Sequence, residues 1–431
     1  MTYAQTLTWL DTVGTLGSRL GLERIRILLN RLGDPQKKLT FVHVAGTNGK
    51  GTVCACLAEV LHQAGYRTGC FTSPHLLRIN ERFQCGGQEI SDEDFAAAAD
   101  QVRAVCQKME DQPTQFEVLT AMAFVYFAAA GCDLVLLEVG LGGRLDSTNV
   151  IDVPAVAVIT KLGLDHMKEL GDTLPAITME KAGIIKPGGR VVVDGSNDSV
   201  LPLLQQVCIQ RHCALTVSQP EQVSVTQISL QGITFDYGPW TGLTLPLAGT
   251  YQPENAAVVL ETLQVLVEMG YRIPRETIRT GLAQVNWPGR FQVLSHSPAV
   301  ILDGAHNQDG LAATVESLRT YFPDRPIRFI LGILADKNVS EMLRLVAPLA
   351  QDIAIITPPS DRAMDGDTLA AQLRQICQAP VTVFPTIREA AAAVLGTAVP
   401  EDVICATGSL YAVGENWLAL RAALADWEGK Q

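Results

Sequence analysis

The sequence predicts an α/β protein of two domains, and three observations carry that reading. Apolar runs rich in β-branched residues alternate with helix-period stretches along nearly all of the 431 residues. A Gly-rich segment, GTNGKGT (46–52), joins one such run directly to a helical pattern. The alternation then restarts after NWPGRF (286–291). The N-terminal domain is therefore expected over 1–288, P-loop ATPase-like, with a mostly parallel sheet flanked by helices plus a small antiparallel sheet at about 215–250. The C-terminal domain is expected over 289–431 as a Rossmann-like α/β unit, with NWPGRF as the hinge candidate.

Each element follows from local pattern. Leu20, Leu22, Ile25, Leu28, Leu29 and Leu32 fall at helical spacing, and Gly33-Asp34-Pro35 stops the run. LTFVHVA (39–45) reads as a buried strand. VCACLAEVLHQAG (53–65) places Val53, Leu57, Val60, Leu61 and Ala64 on one helical face and ends at Gly65. YRTGCFTS is the next strand, which completes a βαβ unit around the Gly-rich loop. DLVLLEVG (133–140), PAVAVIT (154–160) and RVVVDG (190–195) read as buried parallel strands. Residues 215–250 change to alternation with Gly/Pro punctuation, and a helix is expected from Pro253 toward Gly270. In the second half AVILDGAHN, IRFILGILADKN, DIAIITPP, VTVFPT and DVICATGS are apolar strands ending in polar or Gly-rich turns.

Composition narrows the function classes. Hydrophobic residues at 47% and charged residues at 18% argue against a long disordered stretch. A net charge of −12 disfavours nucleic acid and anionic membranes as partners. The cysteines lie mostly in apolar runs with no CxxC pair, as small hydrophobes of a reducing compartment do. The opening MTYAQTLTWLDT carries no basic, apolar leader pattern, and no apolar run reaches membrane-spanning length. A soluble cytoplasmic protein is expected.

The chemistry concentrates in a few segments. In Gly46-Thr47-Asn48-Gly49-Lys50-Gly51-Thr52 the glycines let backbone N–H groups close on phosphate oxygens, Lys50 reaches the β/γ-phosphates, and a Thr hydroxyl can bind Mg²⁺. The segment departs from GxxxxGK[ST], with Val44 at the first Gly position and Gly51 between Lys50 and Thr52. Glu138 ends a buried strand, where a carboxylate holds a metal or pairs with a base. The loop Leu141-Gly142-Gly143-Arg144-Leu145-Asp146-Ser147-Thr148-Asn149 is a ligand loop or a plain turn with an Asx cap. His166, after Asp165, reads as a metal ligand, a base or a solvated loop residue, and Lys181 taken alone reads as a solvated charge. Ser73-Pro74-His75 offers a hydroxyl and an imidazole in a turn.

Taken together, GTNGKGT, TSPHL, the FE of QFEVLTAMAFVYF, LLEVGLGGRLDSTNV, LDHMKELGDTL, EKAGIIKPG, GTYQPENAA, WPGRF, LDGAHN and TGSLY occur in one order. Over nearly the whole chain they resemble the folylpolyglutamate synthases and dihydrofolate synthase/folylpolyglutamate synthases of the Mur ligase superfamily. That resemblance implies the Mur-type two-domain fold. It also implies ATP-dependent ligation of L-glutamate to dihydropteroate and to folates through an acyl phosphate. The GGRLDSTN loop looks more like the bifunctional form than the tail-extending one. Two Mg²⁺ sites, ATP as co-substrate, a possible role for a monovalent cation, and a monomer are implied.

The residue roles are carried over by motif. Lys50 and the loop glycines would hold the phosphates; Ser73 and Glu138, with Thr52 close by, would bind Mg²⁺; His166 would serve a second Mg²⁺. Lys181 matches a lysine that family members can carry as a carbamate, an anionic oxygen ligand suited to a hard cation. Asn255, Arg290, Asp303 and His306 match ATP-holding positions, Thr114, Phe116, Asp146 and Ser147 the folate side, and Lys337 a glutamate-carboxylate contact. Mur peptidoglycan ligases fit less well, since 45 residues before Gly46 leave no room for a UDP-sugar-binding domain, and cyanophycin-type ligases are larger. A plain ATPase would not need the LGGRLDSTN and SPHL matches, and a non-catalytic relative would not be expected to keep Lys50, Glu138 and His166.

Overall fold

The computed structural model describes residues 1–15, 17 and 19–429, so the expected C-terminal domain is described up to residue 429 and Lys430 and Gln431 lie outside. The strands, in chain order, are β1 Phe41–Ala45, β2 Thr68–Phe71, β3 Phe83–Cys85, β4 Gln88–Glu89, β5 Leu134–Glu138, β6 Val156–Ile159, β7 Arg190–Val193, β8 Ala214–Val217, β9 Val223–Ser229, β10 Gly232–Tyr237, β11 Trp240–Leu245, β12 Gln292–His296, β13 Ala299–Leu302, β14 Ile327–Leu331, β15 Ala350–Ile355, β16 Val381–Val383 and β17 Val403–Thr407.

The first eight form one sheet in the order β4-β3-β2-β5-β1-β6-β7-β8. Pairing is parallel from β2 through β8, while β3 and β4 extend one edge in antiparallel fashion. β1 lies in the middle with all five residues buried, which is why its sequence is apolar without alternation. The polar exception, His43, is fully buried. Helices Gln115–Ala130 and Glu23–Arg31 pack in a core with Phe71, Phe83, Phe95, Phe124 and Phe127. Arg24 Nε donates to the buried Glu117 Oε2 at 3.1 Å within that core.

β8 departs from the reading by sequence. Residues 214–217 pair in parallel with β7 and close the large sheet, rather than opening the antiparallel region. The antiparallel sheet proper is β11-β10-β9. The third sheet, β12-β13-β17-β14-β15-β16, is parallel except for β12, which starts directly after the WPGRF segment. In that segment Gly289 and Phe291 both take left-handed backbone, with φ of 74° and 44°.

The chain resolves into two compact units. The first holds 1–163, 167–223 and 254–285; the second holds 164–166, 224–253 and 286 onward. The small antiparallel sheet thus groups with the second unit, whereas its position before residue 288 had assigned it to the first. The physical reason lies at its exit: Thr250 N–H donates to Ser317 Oγ at 3.0 Å, Tyr321 OH donates to the Ala248 carbonyl, and Ala248 is buried in one core with Phe291 and Phe329. Among the described residues no helix is long and apolar enough to cross a membrane.

Candidate functional site

In a parallel sheet the C-terminal strand ends are where loops gather to bind ligands. β1 delivers Gly46 there, β2 delivers Ser73, β5 ends on Glu138, and β6 leads into Thr160 and Lys161. Gly46 has φ 154°, and a Cβ on it would lie 1.8 Å from Thr160 Oγ1. Gly49 has φ 87°, and a Cβ there would meet Asn255 Oδ1 at 2.3 Å. Both positions therefore need glycine on backbone and space alike. The segment after β6 braces the loop: Thr47 and Asn48 N–H donate to the Lys161 carbonyl at 2.9 and 3.1 Å, and Thr160 Oγ1 donates to the Asn48 carbonyl at 2.7 Å. Helix Lys50–Gln63 starts immediately, and the N–H groups of its first turn have no acceptor within the helix. Lys50 Nζ folds back on its own loop, donating to the Gly46 and Thr47 carbonyls at 3.1 and 3.2 Å.

Glu138 is 4% exposed and faces Val44 across the β1–β5 pairing. Ser73 N–H donates to Glu138 Oε2 at 2.9 Å, so the two residues expected at the metal are neighbours. The Glu138 carboxylate and the Ser73 and Thr52 hydroxyls expected at the metal are all oxygen donors, the chemistry a hard cation such as Mg²⁺ takes. Among the described residues no group of three or more His, Cys, Asp or Glu gathers as a metal cluster. A cation at these oxygens would complete its shell with phosphate oxygens and water, the usual habit of Mg²⁺.

Lys181 closes the helix Leu174–Lys181 and is buried, with Nζ donating to the Gly46 carbonyl at 2.7 Å. The 141–149 loop seats it. A Cβ on Gly143 would lie 2.9 Å from the carbonyl oxygens of both Glu180 and Lys181. Arg144 N–H donates to the Glu180 carbonyl at 2.7 Å, and its guanidinium pairs with Glu180 Oε1 at 2.9 Å. Asn149 Nδ2 ties the Arg144 and Gly183 carbonyls at 3.0 and 3.2 Å.

The second unit has its own charged centre. Asp165 receives the Lys337 ammonium, the His306 ring nitrogen at 3.6 Å, Asn307 Nδ2 at 3.1 Å and the His166 backbone N–H at 2.9 Å. Burial pushes the Asp165 carboxyl up, but His306, His166 and Lys337 outweigh it and hold it well below the usual carboxylate range. His166 itself takes left-handed backbone, φ 51°. Asp165→Asn strips the counter-charge from the buried Lys337 side chain, and is expected to destabilise the protein by about 3 kcal/mol in denaturant unfolding. An unchanged midpoint would show that the pair contributes nothing.

Asp303 is also buried and accepts the Phe291 N–H at 2.6 Å, the Ala305 N–H at 2.7 Å, Thr314 Oγ1 at 3.1 Å and the Tyr251 hydroxyl at 3.2 Å. Burial raises its carboxyl pKa, with the Arg290 charge and these donors opposing. Arg290 lies against Gly304, where a Cβ would meet Nη1 at 2.3 Å.

Comparison with known proteins places the chain in a family. The Mur ligase middle domain matches residues 44–263, and the Mur ligase glutamate ligase domain matches 289–410. A Bacillus subtilis relative named dihydrofolate synthase/folylpolyglutamate synthase is 37% identical over 81% of this chain and 84% of its own. The chain belongs to the dihydrofolate synthase/folylpolyglutamate synthase family of Mur ligases. Escherichia coli FolC in complex with DHPP and ADP superposes with a TM-score of 0.86 at 31% identity, covering 98% of both chains. A bifunctional folylpolyglutamate synthase/dihydrofolate synthase with Mn, AMPPNP and L-glutamate bound gives 0.84 at 32% identity, again over 98% of both.

In this ligase the expected folate-side residues divide. Phe116 lies over Gly140, where a Cβ would sit 2.5 Å from the ring, and beside Phe71 at 6.0 Å between centroids. Thr114 caps its helix, accepting the Glu117 N–H at 3.3 Å while its own N–H donates to Glu117 Oε2 at 2.7 Å. Asp146 caps the turn after it, accepting Leu141 N–H at 2.8 Å and Thr148 N–H at 3.0 Å, with Ser147 buried alongside. Thr114 and Asp146 thus also serve local structure. The sequence reading gave no role to Thr160, Lys161 or Asp165, although the polar residues straight after a buried strand were the available signal.

Cys132, read by sequence as a small buried hydrophobe, has a sulfur neighbour. Cys85 and Cys132 bring their sulfurs to 3.5 Å. The Cys132 thiol, with Arg67, outweighs burial and holds Cys85 below the ordinary thiol range, while burial pushes Cys56, Cys70, Cys106 and Cys208 up. At pH 7 iodoacetamide is expected to label Cys85 ahead of those four, with a rate already level by about pH 8, where an ordinary thiol still gains. Equal labelling of Cys106 and Cys208, read by peptide mass, would contradict this.

Proposed function

We propose that this ATP-dependent ligase adds L-glutamate both to dihydropteroate, forming dihydrofolate, and to folates, extending their glutamate chain. The observation that carries the reading is the convergence of Gly46, Lys50, Ser73, Glu138 and Lys181 at the C-terminal ends of adjacent parallel strands. The names of its relatives support the substrate pair, and the ligands of the two solved structures support ATP, a divalent metal and glutamate. The E. coli complex carries DHPP, which favours the dihydrofolate synthase activity over tail extension alone.

The chemistry has two displacements. A substrate carboxylate oxygen attacks the γ-phosphorus of ATP, the bond to ADP breaks, and an acyl phosphate forms. The glutamate amine then attacks the acyl carbon, phosphate leaves with the C–O bond, and the amine gives up a proton. The glycine backbone and Lys50 bind and orient the phosphates, and Lys50 neutralises charge on the transferring group. Glu138, Ser73 and Thr52 would hold Mg²⁺, which supplies further charge neutralisation when bound. His166 would serve a second Mg²⁺, and Lys181, once carbamylated, would offer anionic oxygens to a hard cation. Asn255, set against Gly49, acts on the nucleotide; Arg290, Asp303 and His306 keep the same proposed role, Asp303 through the turn it organises. Thr114, Phe116, Asp146 and Ser147 are proposed on the folate side and Lys337 at the glutamate carboxylate.

The test is ADP release by the purified protein with ATP, Mg²⁺ and L-glutamate, with dihydropteroate in one reaction and tetrahydrofolate in another. Turnover with both supports the bifunctional enzyme. Turnover with tetrahydrofolate alone makes it a tail-extending synthase, and silence with both points to another Mur-type amide ligase. Repeating the assay with and without K⁺ tests the monovalent cation, and light scattering of the eluting peak tests the monomer.

A further inference from the structure

His43 stands in the centre of β1, the strand that feeds the phosphate loop, and is fully buried. Its Nε2 lies 2.9 Å from Thr148 Oγ1. That hydroxyl has one proton, and it is given to Asp146 Oδ1. Both Asp146 oxygens act as acceptors here, since Oδ2 takes the Leu141 N–H and Oδ1 the Thr148 N–H. Thr148 Oγ1 must therefore accept from the ring, so His43 carries its proton on Nε2 and leaves Nδ1 bare. Nδ1, an acceptor in this tautomer, has no hydrogen-bond partner among the described residues. Burial, with the Lys186 charge nearby, pushes the ring down to about 3, so it stays neutral at working pH.

What the ring holds is the 141–149 loop. The same loop carries the Gly143 contact under Lys181, the Arg144 bond to Glu180 and the Asn149 tie to Gly183. Lys181 in turn reaches Gly46, three residues beyond His43 and the first residue after β1. A closed circuit results, from β1 through Thr148 and the loop to Lys181 and back to the end of β1.

We propose that His43 is a positioning residue for the ligase reaction: its Nε2–H, held on Thr148, fixes the 141–149 loop to β1 and so sets Lys181 against the phosphate loop. This rests on the reading above that Lys181 and the phosphate loop serve phosphoryl transfer. The ring touches no substrate. Its effect is on distance, where an error near 1 Å is enough to cost about a hundredfold in rate.

Two variants and one spectrum test it. His43→Leu removes the donor; His43→Gln keeps an N–H at similar reach. Below the melting temperature of each variant, His43→Leu is expected to lower kcat about tenfold or more with the KM for ATP within about twofold, and His43→Gln to recover most of the loss. In long-range proton–nitrogen spectra of histidine-labelled protein, the one of seven histidine signals lost in His43→Gln is expected to show the Nε2–H tautomer. A folded His43→Leu enzyme with full turnover, a His43→Gln enzyme no better than it, or an Nδ1–H signal would overturn the proposal. Should the Leu variant fail to fold, the Gln variant and the spectrum decide. Lys181→Ala run in parallel separates the two claims: full activity there refutes the role given to Lys181, whatever the spectrum of His43 shows.

Discussion

Lys50→Ala is expected to lower kcat for ADP release by about a thousandfold or more, with the fold and melting temperature little changed. The ammonium is the cation at the head of helix Lys50–Gln63, and it rests on the Gly46 and Thr47 carbonyls at 3.1 and 3.2 Å. Those carbonyls belong to the loop itself, so the side chain is held where phosphate oxygens would arrive. The two contacts are to backbone of one turn, and the loop keeps its brace through the Lys161 carbonyl and Thr160 when they are lost. The effect should therefore fall on the transferring charge and not on stability. Lys50→Arg is a sharper control. A guanidinium keeps the charge but is larger and planar, and Gly46 already has Thr160 against it with no room to shift. Arg should recover little. A Lys50→Ala enzyme within tenfold of the parent would remove the phosphate loop from the mechanism.

The parts of this fold that were legible in the sequence share a physical cause. β1, β5 and β6 are buried on both faces, so they appear as continuous apolar runs ended by polar or Gly-rich turns. β8 is an edge strand whose residues are only partly covered, so it alternates like a solvent-facing antiparallel strand and was grouped with β9–β11. β4 is two residues long, below what any periodicity can reveal. The grouping of residues 224–253 depends on contacts such as Thr250 with Ser317, 67 residues apart, which no local pattern encodes.

The site divides along the same line. The phosphate loop was legible because Gly46 and Gly49 are demanded by backbone angles and by neighbours that leave no space for a Cβ. The long-range pairings were not, because Lys181 meets Gly46 across 135 residues and, in the other unit, Asp165 meets Lys337 across 172. At Thr114 and Asp146 a purely local reading was available: Thr114-x-x-Glu117 is a capping box and Asp146-Ser147-Thr148 an Asx cap. The folate role that the resemblance implies for them stands beside these local bonds as a proposal. Family likeness locates such residues well; which atoms remain available to a ligand is decided by the local hydrogen bonds.

Lys181→Ala is expected to lose most ligase activity, by about a hundredfold, and to recover part of it when formate or acetate is added. Lys181 is 6% exposed at the end of its helix, with Nζ 2.7 Å from the Gly46 carbonyl and its backbone clamped by Gly143 and Arg144. A lysine placed only for a solvated charge would not be built into a backbone seat of this kind. Carbamylation joins the neutral amine to CO₂ with loss of one proton, and it replaces a cation by an anionic oxygen pair beside Gly46. The alanine variant vacates the volume of that longer side chain while leaving the seat intact, since the clamp is made by backbone atoms. A small free carboxylate can then supply the missing oxygens, and a chloride or sulfate salt at equal ionic strength cannot. Three outcomes separate the possibilities. Rescue by formate and acetate alone supports the carbamate. Loss without rescue leaves Lys181 as an ammonium that acts by its charge on Gly46 and the phosphates. Full activity of the untreated variant would reduce it to a buried structural lysine and make the Gly143–Arg144 clamp a packing feature only.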